Sequence, residues 1–216
     1  MSITLFIIII TCLISFAGFN NQKVIDDLIF FPPAVANQNQ YYRFFTCGFI
    51  HANYMHLGFN MYSFYIFGGA VEQQFLAAFG DKGKWLYLLM YISSLFFCLI
   101  PTYSKNKENY HYQSLGASGA VSAVVFAYIF FDPLRRIGLV FLPQNFMIPG
   151  FVFGLLYLII SSYMDKKGGG NINHSAHIFG ALYGISFLIV TGSFLSNYNL
   201  LQDFTQKLHS FFSNLF

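Results

Sequence analysis

Charge is what this chain has least of. Only 9% of its 216 residues are Asp, Glu, Lys or Arg, while 56% are hydrophobic; an average soluble domain carries about 25% charged residues. So few charges could not cover the surface of a soluble fold this size, so the apolar excess belongs in lipid. Eleven basic against eight acidic residues leave a net charge of +3. The basic residues are scattered, which argues against nucleic acid as a partner. Cysteine is sparse as well. Cys12, Cys47 and Cys98 stand far apart, with neither metal-ligand spacing nor the pattern of a disulfide framework. They read as buried free thiols. No Lys or Arg precedes Lys23, so the apolar start Ile3–Phe19 lacks the basic n-region of a signal peptide. It also lacks a clear small-x-small cleavage site, and reads as a retained first transmembrane helix.

What the chain has in abundance is long apolar runs. Spanning a bilayer takes roughly 20 such residues at 1.5 Å each. Six segments meet that approximately: Ile3–Phe19, Tyr54–Ala78, Lys84–Ile100, Leu115–Phe131, Phe146–Met164 and Ser175–Phe194. Irregular backbone cannot face lipid, so each is expected to be an α-helix. The fold class is therefore all-α, a polytopic membrane bundle of six helices. Most connections are short and polar. The one from Asn20 to Asn53 is long and mixes charge with Phe30, Phe31, Tyr41, Tyr42, Phe44 and Phe45. A loop of that length and aromatic content is expected to lie at the membrane interface and to be functional. Beyond the sixth segment, Leu200, Leu201, Phe204, Leu208, Phe211, Phe212 and Leu215 recur at helical spacing, as in an amphipathic tail helix on the membrane surface. The chain reads as one domain over 1–216, with a core at 42–195 and the tail at 197–216. With the N-terminus in the cytoplasm, inner loops and tail hold five Lys/Arg and outer loops six, so the positive-inside rule gives no orientation.

Polar groups inside these segments are costly and draw the functional reading. His56 and Asn60 are four apart and share a helix face. They could staple helices together, or donate hydrogen bonds to a reacting group. Gly116-Ala117-Ser118-Gly119-Ala120 is not the G-x-S-x-G elbow, because position 120 is Ala and no strand precedes it. The run could be a close-packing surface, yet it offers a hydroxyl near a helix N-terminus with free backbone N–H groups. Gly180 and Gly184 form a G-x-x-x-G pair that permits close helix approach, with His177 one turn earlier. Together these compose a serine hydrolase. His177 would take the proton from Ser118, whose Oγ attacks a carbonyl carbon. His56, Asn60 and the Ser118 backbone N–H would stabilise the oxyanion. The acid nearest His177 in sequence is Asp165, across a glycine-rich loop, so the unit would be a Ser-His dyad.

These residues resemble the rhomboid family of intramembrane serine proteases over roughly Tyr42 to Gly184. The resemblance rests on H-x-x-x-x-H-x-x-x-N at His51, His56 and Asn60, on G-x-S-G at Gly116 to Gly119, and on A-H-x-x-G-x-x-x-G at Ala176 to Gly184. It implies Ser118 as nucleophile, His177 as base, and His56 and Asn60 as oxyanion donors. It further implies a six-helix rhomboid-like bundle whose site opens to water on the non-cytoplasmic side, in a multi-pass protein of a prokaryotic inner membrane. Its partners would be lipid and transmembrane protein substrates, with no cofactor and no metal. Arg43 after Tyr42 fits the family's aromatic-Arg pair, and Glu72 matches a structural position. His51 matches too, with no chemistry assigned. One departure stands out: the residue one turn after the nucleophile, commonly an aromatic that stacks on the catalytic His, is Ser122. One of the 29 phenylalanines could substitute for it. His174 is additional and reads as a loop residue. Rival readings are an inactive rhomboid-like protein, a transporter, or a haem cytochrome built on His51, His56, His174 and His177. The haem reading leaves the Gly116–Gly119 run unexplained, and no H-E-x-x-H zinc motif exists.

Overall fold

The computed structural model describes residues 2–138, 146–168, 170, 172–196 and 199–214. Helix α1 (Ile3–Asn20) starts where the Ser2 hydroxyl accepts the Leu5 N–H. Its first-turn donors would otherwise be orphaned. The Glu72 carboxylate accepts them, at 2.8 Å from the Ile3 N–H and 3.0 Å from the Thr4 N–H, and also takes the Thr4 hydroxyl at 2.8 Å. A buried carboxylate at a helix N-terminus meets the positive end of the helix dipole. Glu72 is therefore a cap for α1, the structural role the sequence suggested.

The long connection is folded. It forms α2 (Gln22–Leu28), α3 (Pro32–Gln38) and α4 (Arg43–Thr46), followed by a 3₁₀ turn at Cys47–Phe49. Arg43 is buried, and its guanidinium donates to the carbonyls of Asp26 and Ile29 at 2.8 Å each and to Gln40 Oε1. It lies 5.5 Å from the Tyr42 ring centroid. The aromatics expected at an interface are divided. Phe30 and Phe44 are buried and pack with Phe96 and Tyr103, while Tyr41 and Tyr42 stay exposed.

The second apolar segment runs from α5 (Tyr54–Ser63) through a π-helical stretch at Phe64–Gly68 into α6 (Gly69–Phe79). No residue pattern marks this widened turn in advance. It ends at Gly68, where a Cβ would meet Thr4 and the Tyr87 hydroxyl. Gly80 then turns the chain into α7 (Asp81–Phe97) and α8 (Ile100–Asn106). Helix α9 (Ser118–Phe131) is buried on nearly every face. A short antiparallel pair, β1 (Arg136–Ile137) with β2 (Ile148–Pro149), departs from a purely helical reading and leads into α10 (Gly150–Lys167). Helix α11 (His174–Leu195) and α12 (Leu200–Ser213) complete the chain. Leu215 of the tail pattern, and residues 139–145 between the fourth and fifth apolar segments, lie outside the described residues. Of the described helices, Ile3–Asn20, Asp81–Asn106 and His174–Leu195 are long and apolar enough to cross a membrane by length and composition. At 14 residues, α9 is only about 21 Å long.

Candidate active site

Three helix starts converge on one cavity of about 440 Å³, lined by His56 and Asn60 of α5, Ser118 and Gly119 of α9, and Asn173 and His177 at the start of α11. Local chemistry fixes two of these starts. Asn53 caps α5 by accepting the His56 N–H at 2.9 Å, and Asn173 caps α11 by accepting the Ala176 N–H at 3.0 Å. Such Asn caps are favoured because the side-chain oxygen replaces a missing helical acceptor. Asn173 Oδ1 also accepts from Thr102 at 3.2 Å, and its amide reaches Ser114 Oγ at 3.4 Å. The start of α11 is thereby tied to α8 and to the segment before α9.

Helix α9 starts without a side-chain cap, after Gly116 at φ +112°. That conformation is one an L side chain rarely adopts, and the His56 ring occupies the space a Cβ would need. Ser118 is the first helical residue, so its N–H belongs to the turn whose donors have no partner inside the helix.

The structure brings Ser118 and His177 together, with Oγ and Nε2 2.7 Å apart. The glycine stripe makes the approach possible. A Cβ at Gly180 would collide with the Gly119 carbonyl, and one at Gly184 with the Ala123 carbonyl. Across the interface, a Cβ at Gly119 would press on Cys98 and the Ala176 carbonyl. The two backbones are in direct contact because Gly180 meets Gly119 and Gly184 meets Ala123, positions with little or no side chain between the helices.

His56 and Asn60 sit on the cavity wall, as their shared face requires. Asn60 Nδ2 donates to the His56 carbonyl at 2.9 Å, and an amide nitrogen carries two hydrogens. One of them is left for another acceptor. His56 Nδ1 lies 3.5 Å from the Ala52 N–H.

His51 carries more of the site than its sequence position indicated. It is fully buried. Its Nε2 accepts the Ala117 N–H at 3.3 Å, and its Nδ1 faces Ser15 Oγ at 3.0 Å. Ser15 already directs its hydroxyl to the Phe49 carbonyl at 2.9 Å. The imidazole is therefore neutral with its proton on Nδ1, and it links α1 to the turn just before Ser118. His51→Phe would keep the bulk but orphan the Ala117 N–H and leave Nδ1's share of Ser15 unmet, at about 1–3 kcal/mol per buried group. The expected result is a lower unfolding temperature in detergent together with slower reaction at Ser118; unchanged values for both would remove this role. His174 is the first residue of α11 rather than a loop residue. Both its ring nitrogens are buried without a partner among the described residues.

Ser122 donates to the Ser118 carbonyl at 2.8 Å and lies 2.7 Å from the Tyr157 hydroxyl. The Tyr157 ring stacks near His177, with centroids 6.2 Å apart and planes at 27°. An aromatic lies beside His177 after all, but it comes from α10 and is a tyrosine rather than the expected phenylalanine. Nothing in the local sequence around Tyr157 signals this; the register of α10 against α9 decides it.

Residues 38–194 match the family model for the Rhomboid domain. The chain is 33% identical over 158 residues to a rhomboid protein of Bacillus subtilis (YdcA), covering 72% of this chain and 70% of the relative. It is 26% identical over 164 residues to the rhomboid protease GlpG of Haemophilus influenzae, covering 74% of this chain and 76% of that one. A third relative is the chloroplastic Rhomboid-like protein 11 of Arabidopsis thaliana, 31% identical over 169 residues, of which the match spans 54% of the relative's length.

Proposed function

Since the chain belongs to the rhomboid family and is an integral membrane protein, we propose that it is an intramembrane serine endopeptidase acting through Ser118 and His177. The observation that carries this reading is the 2.7 Å contact between Ser118 Oγ and His177 Nε2, made across two helices 59 residues apart in sequence. An isolated serine is a poor nucleophile near neutral pH, and a neighbouring imidazole is what activates it.

In the proposed reaction, His177 Nε2 takes the hydroxyl proton as Ser118 Oγ attacks the carbonyl carbon of the scissile peptide. The oxyanion is met by the Ser118 N–H, the His56 ring and the remaining hydrogen of the Asn60 amide. Collapse breaks the C–N bond, and His177 returns its proton to the leaving amine. Water, activated by the same imidazole, then hydrolyses the acyl-enzyme. The substrates are transmembrane segments of other membrane proteins, whose helix must unwind to present a carbonyl. Six spans surround the site, with the core at 42–195, a tail at 197–216 that lies on the membrane surface, and the cavity facing the non-cytoplasmic side of a prokaryotic inner membrane. A haem site receives less support: His51 and His177 each have Nε2 engaged with a protein group, and iron ligation needs that lone pair.

The test is cleavage of a panel of transmembrane substrates by the purified protein in liposomes, with a fluorophosphonate adduct mapped by mass spectrometry. Adduct on Ser118 and cut substrate are expected; neither in well-folded protein would leave only the family assignment. The oxyanion donors give a graded prediction. His56→Ala and Asn60→Ala should each lower kcat by up to about 10²–10³-fold, with KM changed far less. Unchanged turnover in both would reduce the pair to a helix staple.

A further inference from the structure

Building on that protease reading, we infer that Tyr157 of α10 is the positioning residue for His177 and that Ser122 locks Tyr157 in place. His177 needs such a partner. In serine hydrolases the base is usually oriented by a third group, and among the described residues no carboxylate bonds to its ring. Its Nε2 is directed at Ser118. What remains for the protein to hold is the body of the imidazole: His174 meets it edge-on at 5.8 Å, and the Tyr157 ring lies near-parallel to it at 6.2 Å.

The tyrosine is itself held at both ends. Its ring packs against Phe126 of α9 at 5.5 Å and Phe153 of α10 at 6.3 Å. At its tip, a serine hydroxyl has one hydrogen, and Ser122 gives that hydrogen to the Ser118 carbonyl. The Tyr157 O–H is then the donor to Ser122 Oγ. A hydrogen-bonded chain thus runs from Tyr157 through Ser122 to the backbone of the nucleophile itself. The ring that positions the base and the residue that carries the hydroxyl are referenced to the same carbonyl. A small hydroxyl residue at position 122 is what this arrangement requires, because a larger one would occupy the place of the Tyr157 tip.

The experiment combines steady-state cleavage in liposomes with NMR of isotope-labelled histidine. Tyr157→Leu removes the ring, and kcat is expected to fall about 10-fold with KM little changed, as for a misplaced catalytic group. The His177 ring resonances should shift, since the aromatic ring current is gone. Tyr157→Phe keeps the ring and drops only the hydroxyl, so it should recover most of kcat relative to Tyr157→Leu. Ser122→Ala breaks the bond that Tyr157→Phe breaks and also the one to the Ser118 carbonyl, so the double variant should be no worse than Ser122→Ala alone. Tyr157→Leu with a lowered unfolding temperature but unchanged kcat and unchanged His177 resonances would overturn the positioning role and leave packing alone. Multiplicative losses in the double variant would overturn the link through Ser122. If the wild-type protein cleaves nothing, the protease reading fails, and the resonances still decide whether Tyr157 orders His177.

Discussion

Ser118→Ala is expected to lower cleavage of a transmembrane substrate by roughly 10⁴-fold or more, and His177→Ala by a similar factor. The two side chains share one proton across 2.7 Å, so neither does its work without the other. Removing the serine leaves no oxygen to attack the carbonyl; removing the imidazole leaves a hydroxyl with no acceptor for its proton. The double variant should therefore be little worse than either single variant. Fluorophosphonate labelling provides the check, because it needs the nucleophile but no substrate helix. Labelling should disappear in Ser118→Ala and fall sharply in His177→Ala. Strong labelling that survives His177→Ala would mean that another group activates Ser118.

Gly180→Leu should abolish activity while the protein still inserts into the membrane. Even a methyl group at position 180 would collide with the Gly119 carbonyl, and that carbonyl belongs to the residue beside the nucleophile. Backbone cannot move aside as a flexible side chain can, so α11 must retreat from α9 by the thickness of the added group. Helix insertion depends on hydrophobicity and is unaffected by a leucine; helix association depends on close approach and is not. Separating Ser118 from His177 by even about 1 Å would cost on the order of 10²-fold in rate. Membrane extraction and crosslinking between α9 and α11 distinguish the two stages. Full proteolysis by this variant would show that the stripe does not set the distance between the two side chains.

The pairing of α9 with α11 was legible because both halves carry their signal locally. Small residues around Ser118 and the spacing of Gly180 and Gly184 can be read without knowing any other part of the chain, and they specify a backbone contact. Glu72 was legible as structural, although the donors it accepts, at Ile3 and Thr4, are nearly seventy residues away and could not be named. The contributions of His51 and Tyr157 were hidden for the same reason. Each meets its partner across long sequence separations, His51 with Ser15 and Ala117, Tyr157 with Ser122 and His177, and no periodicity records such meetings. The π-helical turn at Phe64–Gly68 leaves no compositional mark either, and the close approach of Thr4 and Tyr87 to Gly68 is likewise a meeting of distant segments. In the connection from Asn20 to Asn53, the aromatic content was plain, but burial of Phe30 and Phe44 depends on α7 and α8 lying beneath them.

The segment between Ser118 and His177 contains all of α10, and the two side chains meet only when α11 docks against α9. Membrane helices insert first and associate afterwards. During synthesis, then, a chain that has delivered α9 to the bilayer holds a serine with an ordinary, unactivated hydroxyl. On the proposed protease reading, Ser118 gains its base only when α11 docks against α9, so the glycine stripe that permits docking also sets the moment at which the pair forms.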